Sequence, residues 1–189
     1  MSLAVAALFL SASSVPADDE KKADAKTTAV KLQDLTLMVP DTWKEAPNTS
    51  NMRLATYKTP TADGDSEGGE LTVFSFPGGG GDVGANISRW VQQFGGEGRT
   101  SKVTRGKAGG NEYYLADIAG TYNKPVGPPI LRKTEPAAGF RMLGAIVVLE
   151  GKGVYYLKLT GPDASVKAQA DHFRAAFGGA KASETDYEL

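Results

Sequence analysis

The chain has 189 residues, is 41% hydrophobic, and carries 21 Lys and Arg against 22 Asp and Glu, a net charge of -1. It contains one histidine and no cysteine, which excludes a disulfide scaffold, a thiolate metal site, an iron–sulfur protein and a cysteine nucleophile. The near-neutral charge also argues against a generally basic nucleic-acid binder.

The first residues read as a processing signal. Leu3–Leu10 is a short apolar run, followed by small residues and Val15-Pro16-Ala17. This pattern predicts a signal peptide cleaved near Ala17, although the basic residue that usually precedes such a run is missing. The run is too short to span a bilayer, and no later stretch approaches that length. The mature chain is expected to be exported, periplasmic or extracellular, and not membrane-spanning. Residues 18–29 are charged and lack large apolar groups, so they predict a disordered tether. Residues 178–189 predict a disordered polar tail on the same ground. Between them, residues 30–177 have the size of one domain.

Within that domain, Val30–Val39 gives two short extended pieces meeting at Gln33-Asp34. Arg53–Thr59 and Glu70–Phe76 read as strands. Ile87, Trp90, Val91 and Phe94 then form one apolar stripe at helical spacing, with Asp82 as N-cap and Gly95-Gly96 as stop. Ser101–Lys107 and Glu112–Tyr122 predict a hairpin across Gly109-Gly110-Asn111, where glycine and asparagine supply positive φ. Arg141–Glu150 and Val154–Thr160 predict a second hairpin across Gly151-Lys152-Gly153. Val166, Ala170, Phe173 and Phe177 mark a last helix, capped by Asp163 and stopped by Gly178.

Met142–Leu149 has no polar side chain. A strand apolar on both sides needs cover on both sides, and two helical stripes are available. The expected fold is therefore α/β of the α+β type: a single, largely antiparallel sheet with helices on both faces, an α/β/α sandwich. Arg99, Lys102, Arg105 and Lys107 suit a solvated edge strand, with an anionic partner as the less favoured reading.

The run Leu37-Met38-Val39-Pro40-Asp41-Thr42-Trp43 resembles the strand-Pro-x-x-Trp opening of PsbP-like domains. The element order is similar too, including the helix around Asn86-Ile87-Ser88-Arg89-Trp90 and the closing helix after Leu159-Thr160-Gly161-Pro162. The resemblance covers about Val30–Phe177. It implies an α/β/α sandwich and a non-enzymatic accessory role, as in an extrinsic photosystem subunit, a nuclear protein that binds a small GTPase, and secreted proteins of unknown role. No site motif of that family is matched, so no functional residue is carried over.

Three motifs suggest chemistry and are outweighed by plainer readings. Gly64-Asp65-Ser66-Glu67-Gly68 fits G-x-S-x-G, and Ser66, Asp163 and His172 follow the order of a hydrolase triad. A strand rather than a helix follows Ser66, however, and His172 lies inside a helical run. Asp63, Asp65 and Glu67 alternate as weak calcium ligands do, but Phe74 stands where an EF-hand needs its bidentate acid. Gly79, Gly81 and Gly84 form G-x-G-x-x-G between a strand and a helix, yet Asp82 puts negative charge where phosphate would lie. The two sequons, at Asn48 and Asn86, matter only in a eukaryotic secretory route.

Asn123–Gly139 holds four prolines and the adjacent bases Arg132-Lys133. A structureless loop of this length in a compact domain is often functional, and prolines lower the entropy lost on binding. The expected function is thus a monomeric, non-enzymatic domain without cofactor or metal that binds a protein or envelope partner. Its contacts would be Tyr122, Lys124, Ile130, Leu131, Arg132 and Lys133. The alternatives are a small-ligand carrier, with an apolar pocket under the sheet or near Trp43, and a serine hydrolase using Ser66 and His172.

Overall fold

The computed structural model describes residues 26–76 and 79–189. The signal peptide and residues 18–25 of the tether lie outside the described residues. The elements are β1 (Thr27–Leu32), β2 (Leu35–Pro40), β3 (Lys44–Glu45), β4 (Arg53–Lys58), β5 (Glu70–Ser75), α1 (Val83–Val91), β6 (Thr100–Ala108), β7 (Asn111–Pro125), β8 (Thr134–Leu149), β9 (Gly153–Pro162), α2 (Asp163–Ala168), α3 (Ala170–Ala176) and β10 (Thr185–Asp186). The result is an α+β fold dominated by antiparallel sheet.

Eight strands form one sheet in the order β10-β6-β7-β8-β9-β5-β4-β3, and every neighbouring pair in it is antiparallel. The expectation of a single sheet is corrected at the start of the chain: β1 and β2 make a separate two-stranded hairpin. Gln33 turns it with φ +56. Leu35, Leu37 and Val39 alternate inward from β2, so this hairpin lies on the large sheet rather than extending it.

Strand alternation sends neighbouring side chains to opposite sides, and two apolar clusters result. Leu143, Ala145 and Val147 of β8 join Tyr155 and Leu157 of β9, the β2 leucines, Trp43, and Val166, Phe173 and Phe177 from the closing helices. Met142 and Ile146 of β8 join Tyr156, Ile118, and Ile87, Trp90 and Phe94 from and just after α1. This double use explains why the Met142–Leu149 run is apolar throughout.

The local signals are largely met. Gly109 and Gly110 turn the β6–β7 hairpin with φ +56 and +88, values that β-carbon sterics penalise in other residues. Asp82 caps α1, its carboxylate accepting from the Ala85 N–H at 2.8 Å. At the closing helix, Gly178 takes φ +82, and the Gly178 and Gly179 N–H groups return to Ala175 O and Arg174 O, the Schellman arrangement.

Two expectations change at the closing helix. The closing helix is broken at Gln169, whose side chain accepts from Trp43 Nε1 at 2.9 Å. Asp163 does not cap it; Pro162 occupies that position, and the Asp163 carboxylate accepts from Arg141 Nε at 2.8 Å.

The tether and tail are shorter than composition implied. Thr27–Ala29 pair with Met38–Pro40 in β1, because ladder hydrogen bonds need no apolar side chain. In the tail, β10 pairs with β6 and Glu184 forms a buried ion pair with Arg174 at 2.7 Å. Charge was the reason to expect disorder there, and charge is what ties the segment down. Part of the β6 edge, at Thr104 and Arg105, is consequently covered. Lys102 pairs with Asp186 at 2.8 Å, and Arg99 donates to Val91 O and Phe94 O.

Candidate functional site

The proline-containing segment is mostly strand, which corrects the expectation of a long structureless loop. β7 and β8 stay paired through Tyr122↔Ala137, Asn123↔Pro136, Lys124↔Glu135 and Pro125↔Thr134. Only residues 126–133 form the tip, closed by the Val126 N–H donating to Lys133 O at 2.9 Å. The signal was hidden because the outer part of β8 is almost entirely exposed and therefore carries no apolar alternation.

At the tip, a single 3-10 turn, Pro129–Leu131, presents Ile130 and Leu131, 88% and 66% exposed. Arg132 follows in the left-handed region at φ +47, and Lys133 lies 3.9 Å from Glu135. Lys124 sits lower, 3.0 Å from Glu67 and over the Phe140 ring. Tyr122 is not a surface contact. It is buried, packed against the Phe94 and Phe140 rings, and burial together with the Glu70 charge raises its phenol pKa. The six expected contact residues thus divide into four at the tip, one at the base and one in the core.

A second feature bears on the carrier alternative, which requires an apolar pocket under the sheet or near Trp43. α1 packs on β7 and β8 and leaves the neighbouring β9, β5 and β4 partly open. Two hollows remain there, sharing Phe74 and Lys158 as their common wall. Nine residues of helix are too few to cover eight strands.

The first hollow, about 390 Å³, is walled by Phe74, Phe76, Trp90 and Tyr156 and edged by Asn86, Arg89, Gln93 and Lys158. Phe74 and Phe76, two apart on one strand face, lie parallel with centroids 6.3 Å apart. Tyr156 meets Phe76 and Trp90 edge-on at 5.5 and 6.4 Å. Arg89 donates to Asn86 Oδ1 and Lys158 to Gln93 Oε1, each at 2.9 Å.

The second hollow, about 300 Å³, is more evenly charged. Glu70 takes both Arg53 at 3.2 Å and Lys58 at 2.7 Å. Burial pushes the Glu70 carboxyl up, but these two cations outweigh it and hold it below its ordinary value. For Lys158 burial acts alone with repulsion: desolvation, then the Arg53 charge, lower its pKa to about 8. No aromatic spacing rule marks this region in the sequence; Phe74 and Phe76 were legible only as bulky residues of a Glu70–Phe76 strand.

A third hollow, about 800 Å³, lies beside α2 and α3. Its charges are mostly spent: Arg141 is shared by Asp117 and Asp163, and Arg174 is held by Glu184.

The triad candidates are not joined. Ser66 is exposed in a bend before β5, and among the described residues no hydrogen bond links it to Asp163 or His172. His172 lies on α3, with its Nδ1 buried and without a hydrogen-bond partner. The acidic loop is engaged in structure: Asp65 accepts from the Ser165 N–H and hydroxyl at 2.9 and 2.6 Å, and Glu67 meets Lys124. Among the described residues, no group of three or more His, Asp and Glu comes together. The glycine run packs on an aromatic: Tyr156 donates to Gly79 O at 2.8 Å, and a β-carbon on Gly80 would fall 2.5 Å from the Tyr156 hydroxyl. Trp43 is buried with its N–H donated to Gln169, and it lines none of the hollows described above. Among the described residues, no helix is long and apolar enough to cross a membrane.

No family profile and no curated protein matches this chain. Two solved structures are similar. One is the solution structure of cyanobacterial PsbP (CyanoP) from Synechocystis sp. PCC 6803, at 11% identity and TM-score 0.48, covering 88% of this chain and 96% of that one. The other is a Pseudomonas aeruginosa protein of unknown function described as a putative regulator, at 14% identity and TM-score 0.43, covering 79% and 92%.

Proposed function

We propose that this chain is an exported, non-enzymatic binding domain that engages a protein or envelope partner through the tip of the β7–β8 arm. In this reading α1 on one face and α2–α3 on the other complete an α/β/α sandwich, and the domain acts as a monomer. The observation that carries it is the exposure of Ile130 and Leu131 on a hairpin that hydrogen bonds hold in place. Large aliphatic side chains are rarely this exposed together on an arm without a use, and an arm already ordered loses little entropy on docking. Arg132 and Lys133 beside them favour a partner with an apolar notch bordered by acidic groups.

The test replaces Ile130, Leu131 and Lys133 by Ser and Arg132 by Gly, the last chosen for its positive φ. A photo-crosslinking residue at position 130 should capture a discrete partner from the native envelope fraction, and one at position 152 should not. A competing excess of unlabelled wild-type protein should abolish that capture, whereas the fourfold variant should fail to compete. The thermal midpoint of the fourfold variant should stay within a few degrees of wild type, since the four side chains touch no core. Equal competition by the variant, or identical capture from both positions, would defeat the assignment.

A further inference from the structure

The aromatic hollow beside α1 is separate from the arm tip and has a chemistry of its own. Four aromatic rings make its walls, so it favours a planar apolar body; ring pairs gain from edge-on and offset contact beyond simple burial. Its charges are Arg89 and Lys158. Among the described residues neither has a carboxylate partner: each is held only by a neutral amide, from Asn86 and Gln93. The contrast with the second hollow is direct, because there Glu70 and Glu67 answer Arg53, Lys58 and Lys124. Exposed Arg89 and half-buried Lys158, with no carboxylate partner among the described residues, place two positive charges at the rim of an apolar recess. The size, about 390 Å³, lies in the range of small-ligand sites.

We propose that this hollow binds a small planar aromatic carboxylate, its ring among Phe74, Phe76, Trp90 and Tyr156 and its carboxylate accepting from Arg89 and Lys158. A guanidinium is suited to this, since its paired N–H groups match the two oxygens. Lys158 adds a point charge, and its partial burial strengthens the attraction.

The probe is 2-naphthoate, with 2-naphthamide as the neutral analogue of the same shape. The chain has two tryptophans, and they report separately: Trp90 lines the hollow, while Trp43 belongs to the other cluster with its N–H bonded to Gln169. In titrations followed by the two indole N–H resonances, 2-naphthoate should shift Trp90 and leave Trp43 in place. It should bind about tenfold more tightly than 2-naphthamide, the ratio expected from one charge-assisted contact. Arg89→Gln and Lys158→Met should each remove most of that ratio while leaving 2-naphthamide unchanged. An unmoved Trp43 resonance shows that a variant is folded, and Arg89→Gln decides the matter if Lys158→Met is not. Equal affinity for acid and amide, shifts that spare Trp90, or full retention of the ratio in Arg89→Gln would overturn the proposal.

Discussion

Lys158 shows how one residue on a strand can be set apart by its surroundings. It lies opposite Thr72 on one side and Gly144 on the other, so neither neighbouring strand offers a carboxylate across the ladder. Burial and Arg53 then lower its pKa from 10.5 to about 8. Linkage fixes the sign: between about pH 8 and 10.5 the unfolded chain keeps a proton that the folded protein has released, so stability rises with pH across that window. Below it, the cost of the buried charge is felt in full. Chemical denaturation of the wild type should show stability gaining on Lys158→Met from pH 8 to pH 10; parallel curves would contradict this. The window stops there because buried tyrosines such as Tyr122, whose pKa is raised, act in the opposite sense above it. At this scale the sequence was a partial guide. Asp82 and the Gly109-Gly110 turn were legible because capping and positive φ are local requirements. Lys158 and Tyr122 were not, because what distinguishes them is supplied by residues far away in the chain.

Among the elements, α1 illustrates how a stripe becomes a contact. Trp90 lies over Gly144 of β8, where a β-carbon would stand 2.5 Å from the indole ring. The glycine inside an otherwise bulky strand is therefore the seat for the helix. Gly144→Ala should cost about 1–3 kcal/mol, the usual range for overpacking, and lower the thermal midpoint by a few degrees in calorimetry. It should also disturb the Trp90 indole resonance more than that of Trp43. A neutral effect would mean that α1 can lift away freely. Helix stripes and short hairpins were readable here, since both repeat within a few residues. The outer β7–β8 arm was not: with both of its faces in solvent, nothing forces the alternation by which strands are recognised. The break at Gln169 was invisible for the same kind of reason, because Trp43 receives that side chain from a distant part of the fold.

Across the whole molecule, the residues after α3 close the sheet. Glu184 accepts from Arg174, Thr104 and Tyr113, tying α3, β6 and β7 together, and β10 then covers part of the β6 edge. Both members of the ion pair are almost fully buried, at 8% and 4% side-chain exposure. Glu184→Gln leaves Arg174 buried and uncompensated, which should cost about 3–5 kcal/mol and be visible as a large fall in the denaturation midpoint. It should also raise the protein's tendency to associate, since an uncovered strand edge is a template for pairing. An unchanged midpoint would show that the segment is not a clamp.

The sequence by itself determined what depends on near neighbours or on composition: the exclusion of cysteine chemistry, the two apolar helix stripes, the tight turns, and a β8 strand that had to be covered on both sides. Tertiary structure decided the rest: that the first strands form a hairpin of their own, that a charged tail is ordered, that the proline segment is an arm, and that α1 leaves an aromatic recess with two cations that meet no carboxylate among the described residues. Each of these depends on which distant side chain meets a given charge or surface, and one-dimensional spacing carries no record of that.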